Sequence, residues 1–120
     1  MSPEQQLLEY DRRHAWHPYA PTVGADPVLA VMAANGVRLR LHDGEHRYEV
    51  IDAMASWWCQ IHGYRNPVLD EALNRQSSQF SHVMFGGLTH KTAVDAVTAL
   101  VDLAPPPLDR VFLADSGSVG

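Results

Sequence analysis

The chain has 120 residues, 46% of them hydrophobic and 19% charged, which suits one small domain with a modest core and argues against disorder. Its net charge of −5 gives no electrostatic basis for binding nucleic acid or an acidic membrane. The single cysteine, Cys59, excludes an internal disulfide, no apolar run approaches the roughly 20 residues of a membrane-spanning helix, and the polar N-terminus lacks the order of a signal peptide.

A cytoplasmic protein is the resulting expectation. Residues 4–15 are mostly polar, with Leu7 and Leu8 available to pack, and predict a short N-terminal helix. His14-Ala-Trp-His-Pro-Tyr19 follows. Pro18 biases His17 toward an extended backbone, so this stretch is expected to be a loop, continued by Pro21, Gly24 and Pro27. Val28 to Ala33 is apolar and runs into Asn35-Gly36, a turn signal. Val37 to His42 alternates, with Val37, Leu39 and Leu41 on one face and Arg38, Arg40 and His42 on the other. That pattern predicts a half-buried strand whose arginines form a solvated face. Asp43-Gly44 is a hairpin turn, and Arg47 to Ile51 is the partner strand, with Tyr48 and Val50 on one face.

Asp52 to Tyr64 is the densest unusual segment, because it contains Trp57 and Trp58 side by side. Adjacent rings cannot share one face of a helix or strand. Core, a subunit contact and the wall of a ligand pocket are all open uses for them. Cys59 next to the pair reads as a buried structural cysteine. Asn66-Pro67 then starts an amphipathic helix over about 67–79, with Leu69, Ala72, Leu73 and Phe80 at helical spacing. Gly86-Gly87 rules out a regular element in the 81–90 loop, which is apolar enough to require a packing surface. Thr89 or Thr92 is expected to open the next helix, with Thr92-x-x-Asp95 resembling a capping box, and Pro105-Pro-Pro107 closes it.

Val111 to Ala114 reads as a buried strand entering the small polar turn Asp115-Ser-Gly-Ser118. At such a junction Gly117 lets a ligand approach the backbone, and Ser118 can give its N–H and hydroxyl to a phosphate oxygen. On pattern alone, a plain turn is the favoured reading of those residues. No histidine pair has metal-ligand company, and no serine sits in a nucleophile elbow. Lys91, the one lysine, lies at the start of a helix, where a solvated side chain is expected.

Four segments taken together carry a resemblance. They are Trp16-His-Pro-Tyr19; Asp52-x-Met-x-Ser-Trp-Trp58 with Ile61-His-Gly-Tyr64; Ser81-His-Val-Met-Phe-Gly-Gly87 with Thr89-His90; and Val111 to Val119. The chain resembles the class III, fold-type I pyridoxal-phosphate aminotransferases over nearly its whole length. Within them it is most similar to the branch that makes 7,8-diaminononanoate for biotin synthesis. The resemblance implies an α/β fold: the N-terminal part of a fold-type I transferase, with a small-domain hairpin and helices leading into the first strand of the large-domain sheet. Residues 1–80 would form the N-terminal segment and part of the small domain. Residues 81–120 would begin the large cofactor-binding domain, truncated.

The cofactor implied is pyridoxal 5'-phosphate, with Gly117 and Ser118 matching the pair that binds its phosphate. Tyr19 and Trp57 match residues lining the substrate site, while Trp58 and Cys59 are left to packing. The substrates implied are S-adenosylmethionine and 8-amino-7-oxononanoate, in a homodimer with no nucleic-acid or membrane partner. Another class III aminotransferase, or a non-catalytic remnant pairing through the 81–90 loop, are the alternatives. Ala53 and Ala55 stand where relatives often have Gly and Ser, and Gly120 stands where Ala or Glu is common, at some cost to a following helix. The family's catalytic lysine would lie beyond Ser118. The chain by itself is therefore expected to lack a catalytic residue and transaminase activity, and to be poorly soluble.

Overall fold

A computed structural model describes residues 1–119, so the reading of Gly120 as a weak helix start lies outside the described residues. The backbone divides into two compact units, Met1–Ser77 and Ser78–Gly120.

In the first unit, α1 (Pro3–His14) starts as its sequence dictates. The Ser2 hydroxyl accepts the Gln5 N–H at 3.1 Å, and the Gln5 side chain accepts the Ser2 N–H at 2.9 Å, so each satisfies an amide the helix end leaves open. The helix runs to His14, whose ring lies 4.5 Å from that of Tyr10, so this histidine belongs to the helix rather than to the following loop. Glu9 receives hydrogen bonds from Arg12 and Arg13, which hold its carboxyl down to about 2.

The sheet has three strands, β1 (Ala30–Asn35), β2 (Arg38–His42) and β3 (Arg47–Ile51), all antiparallel in the order β1-β2-β3. The apolar run before Asn35-Gly36 therefore pairs as a strand of its own, and the predicted two-stranded hairpin is the second half of a meander. The register shifts between Val31 and Ala33, a bulge that gives β1 one extra residue.

Leu41 faces inward as its alternation requires, but His42 is only 6% exposed and does not join Arg38 and Arg40 on the solvated face. The reason is tertiary. Helix α1 lies over this end of the hairpin, with Leu8 and Gln5 beside Gly44. His42 satisfies its ring by accepting the Gly44 N–H on Nδ1 at 2.8 Å. Arg47 donates to Glu4 at 2.7 Å, tying β3 to α1, and Arg38 pairs with Glu49 across β2 and β3.

The chain then enters α2 (Ala55–Trp58), a single turn wound left-handed. Ala55, Ser56, Trp57 and Trp58 have φ of 47°, 47°, 55° and 69°. For residues with a Cβ this conformation costs about 1–2 kcal/mol each, so something outside the turn must hold it. Ala53 has no positive φ, so the alanine in place of a family glycine carries no backbone strain. Helix α3 (Pro67–Ser77) begins as predicted, with Asn66 Oδ1 accepting the Val68 N–H at 3.0 Å.

The second unit holds α4 (Lys91–Leu103). Its cap is neither predicted threonine. His90 takes the position, Nδ1 accepting the Ala93 N–H at 3.3 Å, while the rings of Phe80 and Phe85 stand nearly perpendicular to the imidazole. Asp95, predicted as the far corner of a capping box, instead pairs with Lys91 one turn back, and Lys91 is solvated as expected. Val111 to Ala114 forms no strand, and Phe112 is 89% exposed. The run expected to open a large-domain sheet is left without a paired strand among the described residues, and a strand is defined by a paired backbone. No helix among the described residues is long and apolar enough to cross a membrane.

Candidate active-site elements

Tyr19 and Trp57, distant in sequence, meet in the first unit. Their rings stand edge to face, centroids 5.6 Å apart and planes at 74°. Both are open to approach, Tyr19 at 94% and Trp57 at 60% exposure.

Each ring has its own support. Tyr19 sits in a turn closed by two bonds: Ala20 N–H donates to the His17 carbonyl at 3.2 Å, and the Trp16 indole N–H donates to the Ala20 carbonyl at 2.9 Å. His17 is fastened to α1 through Asp11 at 2.8 Å. A groove of about 840 Å³ runs between α1 and this loop, bordered by Trp16 and His17, but neither Tyr19 nor Trp57 lines it.

Trp57 rides on α2, and α2 is held by Asp52. One carboxylate oxygen, Oδ1, accepts the Met54 N–H at 3.2 Å in an Asx-type turn. The other, Oδ2, accepts the Ser56 N–H at 2.8 Å and the Tyr64 hydroxyl at 2.6 Å. Tyr64 has one O–H to give and gives it to Asp52, so the short contact between Ser56 and Tyr64 has the serine as donor. The backbone closes the same loop. Tyr64 and Gly36 exchange both N–H to C=O bonds, at 2.7 and 3.0 Å, and Asp52 N–H donates to the Val37 carbonyl at 2.8 Å. Both ends of the 52–64 segment are therefore fixed to the tip of the β1–β2 hairpin.

The network sets its own titration. The Tyr64 hydroxyl holds the Asp52 carboxyl below its ordinary value; partial desolvation opposes this, and the Ser56 and Met54 amides add to it. The same carboxylate pushes the Tyr64 hydroxyl up, against the Ser56 hydrogen bond. A lowered carboxyl contributes stability above its unfolded value and loses it as pH falls through the lowered one. A raised phenol contributes below its unfolded value and loses it as pH rises through the raised one. The near-ultraviolet dichroism of the aromatic residues is therefore expected to stay flat between about pH 5 and 9 and to change outside that window. An acid midpoint at or above the ordinary aspartate value would contradict the network.

Trp58 and Cys59 do not pack as expected. Trp58 is 82% exposed and Cys59 is exposed within this unit. Sequence patterning alone gives Asp52, Ser56 and Tyr64 no role. The pattern of an aspartate two residues before a freed amide was the available signal.

In the second unit, Gly117 and Ser118 lie in a turn closed by the Val119 N–H on the Ser116 carbonyl at 3.0 Å. Space around Gly117 is open, and a Cβ there would meet nothing within 4 Å. Among the described residues, no hydrogen bond occupies the N–H of Gly117 or Ser118, or the Ser118 hydroxyl. Two amides and a hydroxyl beside an approachable glycine are the donor set that suits a phosphate group. Among the described residues no cluster of His, Cys, Asp or Glu could hold a metal ion.

The structure is similar to a thermostable (S)-enantioselective omega-transaminase from Thermomicrobium roseum, with a TM-score of 0.74 and 25% identity over 91% of this chain. The chain belongs to the class III aminotransferase family, whose profile matches residues 19–120. That is a pyridoxal-phosphate-dependent family with the α/β architecture of fold type I, as the resemblance implied.

Among its relatives, the adenosylmethionine-8-amino-7-oxononanoate aminotransferase of Saccharomyces cerevisiae is 51% identical over 95% of the chain. The enzyme of the same name from Buchnera aphidicola subsp. Baizongia pistaciae is 46% identical over 97%. The chain spans about a quarter of the length of these relatives, 24% and 26%, and 24% of the solved transaminase.

Proposed function

We propose that this chain is the N-terminal part of an aminotransferase that moves the amino group of S-adenosylmethionine to 8-amino-7-oxononanoate, giving 7,8-diaminononanoate in biotin synthesis. The observation that carries the proposal is identity of 46–51% across nearly the whole chain to proteins named for that reaction. In this reading the protein is a cytoplasmic homodimer. Residues 1–80 contribute to the small domain, and residues 81–120 begin the large one.

Pyridoxal phosphate supplies the electron sink for the transfer. Gly117 and Ser118 would hold its phosphate through their N–H groups and the serine hydroxyl. Tyr19 and Trp57 would wall the substrate path. A pair of rings suits both partners: the long aliphatic chain of the acceptor packs on their faces, and the sulfonium charge of the donor is attracted to them. The wall thereby orients each substrate and excludes water.

The test is a cofactor titration and a product assay on the enzyme containing this segment. The wild type is expected to form 7,8-diaminononanoate from the two substrates. Gly117→Asp places a carboxylate against the phosphate and is expected to weaken cofactor affinity on the order of 100-fold, from Coulomb repulsion at an intermediate dielectric. Unchanged cofactor affinity would remove Gly117 from the phosphate site. Absence of product with cofactor bound would overturn the substrate assignment.

A further inference from the structure

Four successive residues with side chains in the left-handed region form an unusual local structure, and a turn of this kind persists only where its surroundings over-determine it. Here the surroundings converge on one carboxylate and one phenol. Asp52 engages the N–H groups of Met54 and Ser56, one just before the left-handed run and one inside it. Tyr64 reaches the same carboxylate from the far end of the loop, while its backbone is bridged to Gly36. Trp57 lies between these two fixed ends, and its ring faces Tyr19.

We propose that Asp52 and Tyr64 are positioning residues that hold the left-handed turn Ala55–Trp58, fix the Trp57 ring against Tyr19, and so set the site's acceptance of an apolar substrate chain. The last step rests on the reading of Tyr19 and Trp57 as the substrate wall. Neither Asp52 nor Tyr64 needs to touch substrate.

The chemistry demands a carboxylate. The groups that hydrogen-bond Asp52 most closely are all donors: the Met54 and Ser56 amides at 3.2 and 2.8 Å and the Tyr64 hydroxyl at 2.6 Å. An asparagine would present an NH₂ to one side of this donor set and leave groups facing each other without an acceptor. Tyr64→Phe removes one donor and leaves the backbone bridge to Gly36 in place, so it is the milder change.

The experiment compares wild type, Asp52→Asn, Tyr64→Phe and Trp57→Phe in the enzyme containing this segment. Two readouts are used: near-ultraviolet dichroism without substrate, and steady-state kinetics with the apolar acceptor varied. Asp52→Asn is expected to lose most of the dichroism difference that separates wild type from Trp57→Phe. It is also expected to raise KM for the acceptor by about tenfold or more while kcat stays within about threefold. Tyr64→Phe is expected to move both in the same direction by less, and it carries the test if Asp52→Asn does not fold.

Unchanged dichroism in both variants would overturn the positioning role. Equal loss of kcat and kcat/KM with KM unchanged would overturn it too, by placing the residues in the chemical step. Lost dichroism with unchanged kinetics would uphold the hold on Trp57 and overturn the reading of Trp57 as substrate wall, so the two failures are distinguishable.

Discussion

Trp57→Ala is expected to raise the KM for the apolar acceptor by about 10- to 100-fold, the range typical of losing a large aromatic contact to a bound partner. The same substitution is expected to shift Tm by no more than a few degrees. The contrast follows from the ring's place. Trp57 is 60% exposed and touches Tyr19 edge on, so its truncation opens no cavity in a closed core. A substrate chain laid against the ring would lose that surface entirely. The check is a pair of measurements on one variant, kinetics with the acceptor varied and a thermal melt. A large fall in Tm with unchanged KM would make Trp57 a packing residue instead.

Gly63→Ala is expected to be the most damaging single-methyl change in the first unit. Gly63 has φ of +78°, and a Cβ there would stand 3.0 Å from the Gly36 carbonyl oxygen and 3.3 Å from its carbon. Those atoms are backbone and cannot swing aside. The left-handed conformation with a Cβ costs about 1–2 kcal/mol, and the overlap adds about 1–3 kcal/mol, so a loss of about 2–5 kcal/mol follows. The obvious escape is to break the Gly36–Tyr64 bridge, which releases one end of the loop carrying Trp57. Chemical denaturation should show the loss. Gly24→Ala is the comparison, with a similar φ of +72° and nothing within 4 Å, so it isolates the backbone cost from the clash. Equal effects in the two variants would mean that the approach to Gly36 is not what Gly63 provides.

Local signals were read correctly where the forces are local. The short helix expected over residues 4–15 forms as α1. Asn66 before Pro67 caps α3, and Asp43-Gly44 turns the β2–β3 hairpin. Alternation placed Leu41 inward, and the arginines beside it are exposed. The same reasoning missed His42 because burial at that end comes from α1 lying over it, which period-two alternation does not contain. It misassigned the α4 cap because two aromatic rings make His90 a rigid acceptor, and histidine ranks low among expected caps. Val111 to Ala114 has a strand's composition and no partner strand among the described residues, and composition cannot supply one.

By itself the sequence determined the family. The order and spacing of Tyr19, Ser56-Trp-Trp58, the Gly86-Gly87 loop and Gly117-Ser118 identify it without coordinates. It also determined most helix ends and the β2–β3 turn, since each depends on neighbours within a few residues. Only the tertiary structure decided that the Tyr19 and Trp57 rings meet, edge to face. The cause is a left-handed turn that no local propensity favours, held by a carboxylate, a phenol and the hairpin tip at Gly36. Bonds between groups so far apart in the chain form only when the sheet has brought the ends of the loop together, so their consequence for Trp57 belongs to the fold.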